Sequence, residues 1–79
     1  MPSRPAITGA QIRAARAFLN WTVEDLSRRC GVSASAISRA ERVDGPPSMQ
    51  LRNLAAIRIA FERNGIELID DVGVKLRRA

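Results

Sequence analysis

The side chains that most often carry acid–base and nucleophilic catalysis are scarce in this sequence of 79 residues. There is no histidine, so the usual general base at neutral pH and the usual activator of a serine or cysteine nucleophile are both missing. Asp70 and Asp71 are adjacent carboxylates, but they lie between two short apolar segments and close to Gly73. That setting indicates a turn and not an acid–base dyad. The residue types therefore favour a binding function, and we expect no enzyme activity.

Metal and thiol chemistry are disfavoured by the same inventory. Cys30 is the single cysteine, so the chain cannot form an internal disulfide, and a zinc site would lack ligands. Cys30 also occupies an apolar position of a predicted helix, which is typical of a small core residue more than of a reactive thiol. We expect no metal and no cofactor.

Charge is the property that points to a class of partner. Thirteen lysines and arginines against eight aspartates and glutamates leave a net charge of +5, and such a surface attracts polyanions, nucleic acid above all. No apolar run approaches the roughly 20 residues of a membrane-spanning helix, and the N-terminus lacks the apolar core of a signal peptide. The sequence thus predicts a cytoplasmic protein with no membrane partner.

The elements that must position these charges are mainly helices. Apolar residues make up 46% of the chain, enough for one folded domain with a modest core. Apolar residues recur at helical spacing, and the helices are predicted near 8–20, 22–30, 33–42 and 48–64. Each has a hydroxyl side chain that can cap its start: Thr8, Thr22, Ser33 and Ser48.

The predicted core is assembled from the apolar faces of those helices. Its members are Ile12, Leu19, Leu26, Val32, Ile37, Leu54, Ile57 and Phe61. In the fourth helix Leu51 and Ala55 are expected to extend the same apolar stripe. Residues 1–7 contain Pro2 and Pro5 and show no periodic pattern, so they are predicted to form a flexible arm.

The C-terminal segment changes period. After Gly65, residues 66–69 and 72–76 alternate as short strands do, with the two aspartates as the turn between them. A hairpin of this size is marginal alone. Three outcomes remain open: it packs on the helices, pairs with a partner chain, or stays partly frayed. Residues 66–79 are therefore treated as a separate strand segment and a candidate dimer element.

The most informative stretch runs from Thr22 to Glu41. It contains two short helices separated by a tight turn at Gly31, and its apolar residues form one shared seam. A helix-turn-helix needs this arrangement: a first helix that braces, a sharp turn that sets the angle, and a second helix with short outward side chains.

Over roughly residues 8–65 the chain resembles the lambda repressor and Cro-like helix-turn-helix family, also called the xenobiotic response element family. The residues that carry the resemblance are Ile12, Arg16, Glu24, Asp25, Leu26, Gly31, Val32, Ser33, Ile37, Ser38 and Glu41. The resemblance implies a mainly α, lambda repressor-like four-helix helix-turn-helix domain, to which the alternating pattern after Gly65 adds a short C-terminal β-hairpin or strand. It also implies a small bacterial transcriptional regulator that binds double-stranded DNA.

The resemblance further implies a recognition helix at residues 33–42 that enters the major groove. Four of its residues would face base edges: Ala34, Ser35, Ser38 and Arg39. Arg39 is the strongest candidate because its planar fork of donors matches the O6 and N7 acceptors of guanine.

Other arginines are assigned to the DNA backbone or to the fold. Thr22 and Val23, at the start of the preceding helix, would lie at the phosphates, and Arg13 and Arg42 fit phosphate neutralisers. Arg28 and Arg29 either do the same or are simply solvated. The remaining pair, Arg16 and Glu41, connects the first and third helices in related proteins and is expected to brace the fold.

One departure from the family pattern concerns the start of the second helix. The family often has a glutamine where this chain has Val23, so a side-chain contact to phosphate is lost there. Ala34 and Ala36 also make the recognition face sparse, although alanine can contact a thymine methyl group.

Two further expectations concern partners. A single recognition helix reads few base pairs, so we expect a homodimer on DNA, and residues 66–76 are the expected dimer element through their unpaired strand edges. Packing of that segment on the fourth helix of its own chain is the alternative. For function, the alternative is a protein-interaction module, such as an antitoxin or antiactivator, on the same fold.

Overall fold

The computed structural model describes residues 7–70 and 73–76. The elements in chain order are α1 (Gly9–Leu19), α2 (Val23–Cys30), α3 (Ala34–Ala40), α4 (Leu51–Arg63), β1 (Ile66–Ile69) and β2 (Gly73–Leu76). The mainly helical fold with a C-terminal hairpin is confirmed.

Side-chain caps explain where the first three helices begin. Thr8 and Gln11 form a reciprocal capping box at α1, and Thr22 and Asp25 form another at α2. The Ser33 hydroxyl accepts from the backbone N–H of the third residue of α3. The prediction for Ser48 was wrong: the chain is still extended at Gln50, which is the N-cap of α4 and makes no side-chain cap hydrogen bond.

The core lies where the four helices and the hairpin meet. Its fully or nearly fully buried apolar residues are Ile7, Ile12, Ala15, Leu26, Val32, Ile37, Ala40, Leu54, Ile57, Ala60, Phe61 and Ile66. Leu19 is only half-buried and packs against this cluster. Leu51 is 77% exposed, because the first turn of α4 extends beyond the core, so its assignment to the buried stripe was wrong.

The predicted flexible arm needs one correction. Residues 1–6 lie outside the described residues, but Ile7 is 1% exposed and belongs to the core. Its side chain adds buried apolar area immediately before the capped start of α1, so the folded domain begins at least one residue earlier than predicted.

The C-terminal hairpin packs on its own chain. The antiparallel strands pair Ile66 with Leu76 and Leu68 with Val74, β1 contacts α4, and β2 contacts α1. Asp70 follows β1 with a positive φ of 54°, and the second residue of the predicted turn, Asp71, lies outside the described residues. Of the three open outcomes, packing on the helices is the one observed.

A buried amide ties the hairpin to α1. The Gln11 side chain is 1% exposed; its Nε2 donates to the carbonyls of Asp70 (3.0 Å) and Gly73 (3.1 Å), and its Oε1 accepts from the Thr8 backbone N–H at 3.0 Å. Every polar atom of this side chain is therefore paired where water cannot reach it. Among the described residues, none of the helices has the length and apolar character needed to cross a membrane.

Candidate nucleic-acid interface

The turn between α2 and α3 is held by a glycine and by a buried seam. Gly31 adopts φ of +80°, and a Cβ there would meet nothing within 4 Å, so the left-handed backbone and not steric crowding requires glycine. Leu26, Val32 and Ile37 are buried beneath the turn. Cys30 is half-buried, and burial raises the pKa of its thiol. The two helices are thus packed at a fixed angle.

One face of α3 is exposed and polar, and the other is buried. Ile37 and Ala40 are buried, whereas Ser35, Ser38 and Arg39 are exposed and share one face because they lie three and four residues apart. The helix therefore presents two short hydroxyls and one long cation to solvent.

The remaining residues of the predicted recognition helix lie at its margins. Ala34 is half-buried at the first turn. The helix ends at Ala40 with Glu41 as its C-cap, two residues earlier than predicted. Arg42 is therefore in the following turn, where it is exposed, and it is not part of the exposed face of α3.

Among the described residues, Arg39 and Arg42 are cations of this surface without a competing ion-pair partner. Within residues 7–70 and 73–76, no carboxylate lies within salt-bridge distance of either guanidinium. Arg39 also borders an open groove between α3 and the start of α4, lined by Ala36, Met49 and Asn53. Both guanidinium groups can therefore meet an anion or a base edge without breaking an internal bond.

Arg13 is placed differently from the other predicted phosphate neutralisers. Its Nη2 lies 2.6 Å from Oδ1 of Asp44, and its Nη1 donates to the carbonyls of Glu41 and Val43. The side chain thereby ties α1 to the loop after α3. Its contact with DNA stays a prediction, and that contact must compete with these partners.

At the start of α2, a phosphate would meet backbone N–H groups more than side chains. The Thr22 hydroxyl is exposed and already accepts from the Asp25 N–H at 3.0 Å. Val23 is half-buried against the core, so only its backbone N–H can approach a phosphate. Glu24 is exposed in the same turn, and its negative charge repels a phosphate. Phosphate contacts by Thr22 and Val23 stay predictions.

Arg28 and Arg29 have separate local partners. Arg28 forms an ion pair with Asp25 one turn earlier. The Arg29 guanidinium lies 4.6 Å from the centre of the Trp21 ring, which stacks on Phe61 at 5.8 Å. Arg29 is thus held in a cation–π contact.

A bidentate ion pair fixes α3 to α1. Arg16 Nε lies 2.7 Å from Glu41 Oε2 and Nη2 lies 2.8 Å from Oε1, while Nη1 donates to the Trp21 carbonyl at 2.9 Å. The hydrogen bond with Glu41 raises the pKa of Arg16. Both side chains are largely buried, at 23% and 10% exposed. This arrangement braces the C-terminal end of α3, as the resemblance implied.

Three positioning residues were missed in the sequence. Gly9 packs so closely on the loop after α3 that a Cβ would lie 1.9 Å from the carbonyl oxygen of Val43, and its N–H donates to Gly45 at 2.9 Å. The other two are Gln11 and Trp21. A glutamine at N3 after a threonine cap was a readable signal for Gln11. No local pattern marks Gly9 or Trp21, because Gly9 packs on Val43 and Trp21 stacks on Phe61, which are distant in sequence.

Residues 8–58, more than half of the chain, match the family described as Helix-turn-helix domain. Among curated proteins, no sequence matches the chain. The matched range contains α1, α2, α3 and most of α4 and excludes the hairpin. The family match and the geometry of α2, the Gly31 turn and α3 agree, and the chain belongs to the helix-turn-helix domain family.

Proposed function

We propose that this protein is a small transcriptional regulator that binds double-stranded DNA sequence-specifically, with α3 in the major groove. The observation that carries the proposal is the exposed face of Ser35, Ser38 and Arg39, whose one guanidinium has no internal partner within the described residues. Arg39 is assigned to guanine, and the two serines and Ala34 to neighbouring base edges.

Affinity and specificity are assigned to different residues. Arg42 lies just beyond α3 without a carboxylate partner in the described part of the chain, so it is the leading phosphate contact. Thr22 and the backbone N–H of Val23 add neutral donors. Arg13 contacts a phosphate only when its ion pair with Asp44 is broken. Phosphate contacts of this kind set general affinity and salt dependence but carry no sequence information.

A homodimer is the proposed binding form. The exposed face of α3 has only three polar side chains, and a single helix of this kind reads too few base pairs for useful specificity in a genome. Two copies related by a twofold axis would read the two half-sites of a palindrome.

The experiment is a selection of duplexes from a random pool by the full chain, followed by titration of the selected and a scrambled duplex over a salt series. We expect enrichment of one palindromic site and a linear fall of log affinity with log salt concentration. Absence of any enriched site, together with affinities independent of salt, would overturn DNA binding and favour the protein-interaction module.

A further inference from the structure

A second concave surface lies between α2 and α4. We call it the α2–α4 groove; it is lined by Arg29, Cys30, Ala56, Ile59, Ala60 and Arg63. Its floor consists of small side chains that permit close approach of another segment, and Ile59 is 46% exposed beside it. The groove therefore combines an apolar floor with two guanidinium groups at its rim, the composition of a protein-binding groove more than of a phosphate site.

The two arginines at the rim are available to an acidic partner. Arg29 is held over Trp21, which stacks on Phe61, so its planar group is already ordered. Arg63 is exposed at the last turn of α4. No carboxylate in the described ranges lies within salt-bridge distance of either one.

A contact of α4 with the α4 of a second copy is opposed by charge. That helix carries Arg52, Arg58 and Arg63 against one acid, Glu62. With a net charge of +5 on each chain, a contact that pairs acidic groups of one copy with basic groups of the other reduces the repulsion between them.

Among the described residues, the outer face of the hairpin carries more acidic than basic side chains. Glu67 and Ile69 alternate with the buried residues of β1, and Asp70 follows them. Glu67 and Asp70 are exposed, and Ile69 is 41% exposed. Lys75, opposite Glu67 in the register, is the cation that β2 contributes to this face. The Gln11 bonds to Asp70 and Gly73 hold the face in place.

The groove and the hairpin face are neighbours along the chain. The groove ends at Arg63, and β1 begins at Ile66, immediately after the turn at Gly65. An extended strand advances about 3.3 Å per residue, so both surfaces lie at the same end of the molecule. A twofold axis beside this turn can bring each hairpin to the groove of the other chain.

We propose that two copies of this chain associate by placing the hairpin face of each, Glu67, Ile69 and Asp70, in the α2–α4 groove of the other. Ile69 meets the small apolar floor, and the two carboxylates meet Arg29 and Arg63. The hairpin is thus the dimer element through its outer face, and strand-edge pairing is not required. The inference rests on the proposed function only in that a twofold DNA-binding protein needs such a contact.

Charge reversal tests the contact in the full chain without DNA. Arg63→Glu and Glu67→Arg each place like charges in both halves of the contact, and like charges that face each other disfavour association. We expect each variant alone to associate at least about tenfold more weakly than the unchanged chain in sedimentation equilibrium. An equimolar mixture of the two should regain the association, because both halves of the mixed dimer again pair opposite charges.

Two further variants keep the result interpretable. Arg52→Glu makes the same charge change on α4 outside the groove and should leave association unchanged. Ile69→Asp alters an exposed position and should weaken association even if a reversed charge disturbs folding, which circular dichroism reports. A chain that is monomeric at millimolar concentration, single reversals without effect, or a mixture no stronger than its components would each overturn the proposal. A monomer that still selects one duplex would leave sequence-specific DNA binding standing without the homodimer. A dimer that selects no duplex would leave this contact standing without the proposed function.

Discussion

Two regions of the molecule contain arginines that differ in burial and in hydrogen-bond partners. In the brace between α1 and the end of α3, Arg16 makes three hydrogen bonds, two of them to Glu41. On the exposed face of α3, Arg39 has no internal partner among the described residues. A guanidinium with all its partners inside the fold holds a helix in place, whereas one without them is available to a ligand. Substitutions in the brace should therefore change stability, and substitutions on the face should change DNA binding alone.

The largest expected effect is the loss of the brace. Glu41→Ala leaves the largely buried Arg16 guanidinium without its bidentate partner, and breaking one side of a buried pair costs about 3 kcal/mol or more. Urea denaturation should show this loss in the free energy of unfolding. Arg39→Ala, the matched change on the face, should alter stability by less than about 0.5 kcal/mol. Equal losses in the two variants would contradict the distinction between brace and face.

The next effect concerns the amide that ties the hairpin to α1. Gln11→Ala leaves the carbonyls of Asp70 and Gly73 without their donor, and unpaired buried polar groups cost about 1 to 3 kcal/mol. Hydrogen exchange should become faster for the amides of β1 and β2 than for those of α2. Gln50→Ala is the control, because Gln50 is exposed, makes no cap hydrogen bond and accepts only an exposed hydrogen bond from Arg52 among the described residues. If exchange in the hairpin is unchanged, it is held by apolar packing alone.

A smaller effect decides how Arg13 is used. Asp44 and two carbonyls occupy its guanidinium, so Arg13→Ala should change the salt slope of DNA binding much less than Arg42→Ala, which should reduce its magnitude by about one. Asp44→Ala should instead strengthen binding, since it removes an anion and releases a cation. Two results together would contradict this: weaker DNA binding by Asp44→Ala, and a salt slope for Arg13→Ala equal to that for Arg42→Ala. They would show that Arg13 already contacts phosphate.

The smallest effect is a pH dependence at the start of α2. Hydrogen bonds from the Thr22 backbone and side chain lower the pKa of the Asp25 carboxyl. Because the folded pKa lies below the unfolded one, the stabilisation is complete above the unfolded pKa of about 3.9 and is lost as pH falls through the folded pKa. Thermal unfolding below about pH 4 should show this loss, and Asp25→Asn should remove that part of the pH dependence. An identical pH profile for Asp25→Asn would exclude the carboxylate as its source.

The parts of the fold that depend on local pattern could be predicted from the sequence, and the parts that depend on distant partners could not. Thr22 with Asp25 and Ser33 before α3 are local signals, so the helices around the turn were predicted closely. Gly9 and Gln11 act through the loop after α3 and through the hairpin, which lie about 30 and 60 residues away in sequence. Burial of Ile7 likewise depends on the assembled core and on no periodic pattern of its own.

The same division holds for the candidate site. The exposed face of α3 follows from helical spacing, and Arg39 could be selected from its position and chemistry. The ion pair between Arg13 and Asp44 could not be predicted, because it depends on the course of the loop from 41 to 45. Arg42 lies outside the helix because α3 ends at Ala40 and the loop begins at the Glu41 C-cap.

The central claim is that α3 reads DNA through Arg39. Its most direct test compares Arg39→Ala with the unchanged chain on the selected and a scrambled duplex at one salt concentration. We predict a loss of about 1 to 3 kcal/mol on the selected duplex and a smaller loss on the scrambled one, so that the ratio of the two affinities falls. An unchanged ratio would contradict the assignment of Arg39 to a base edge.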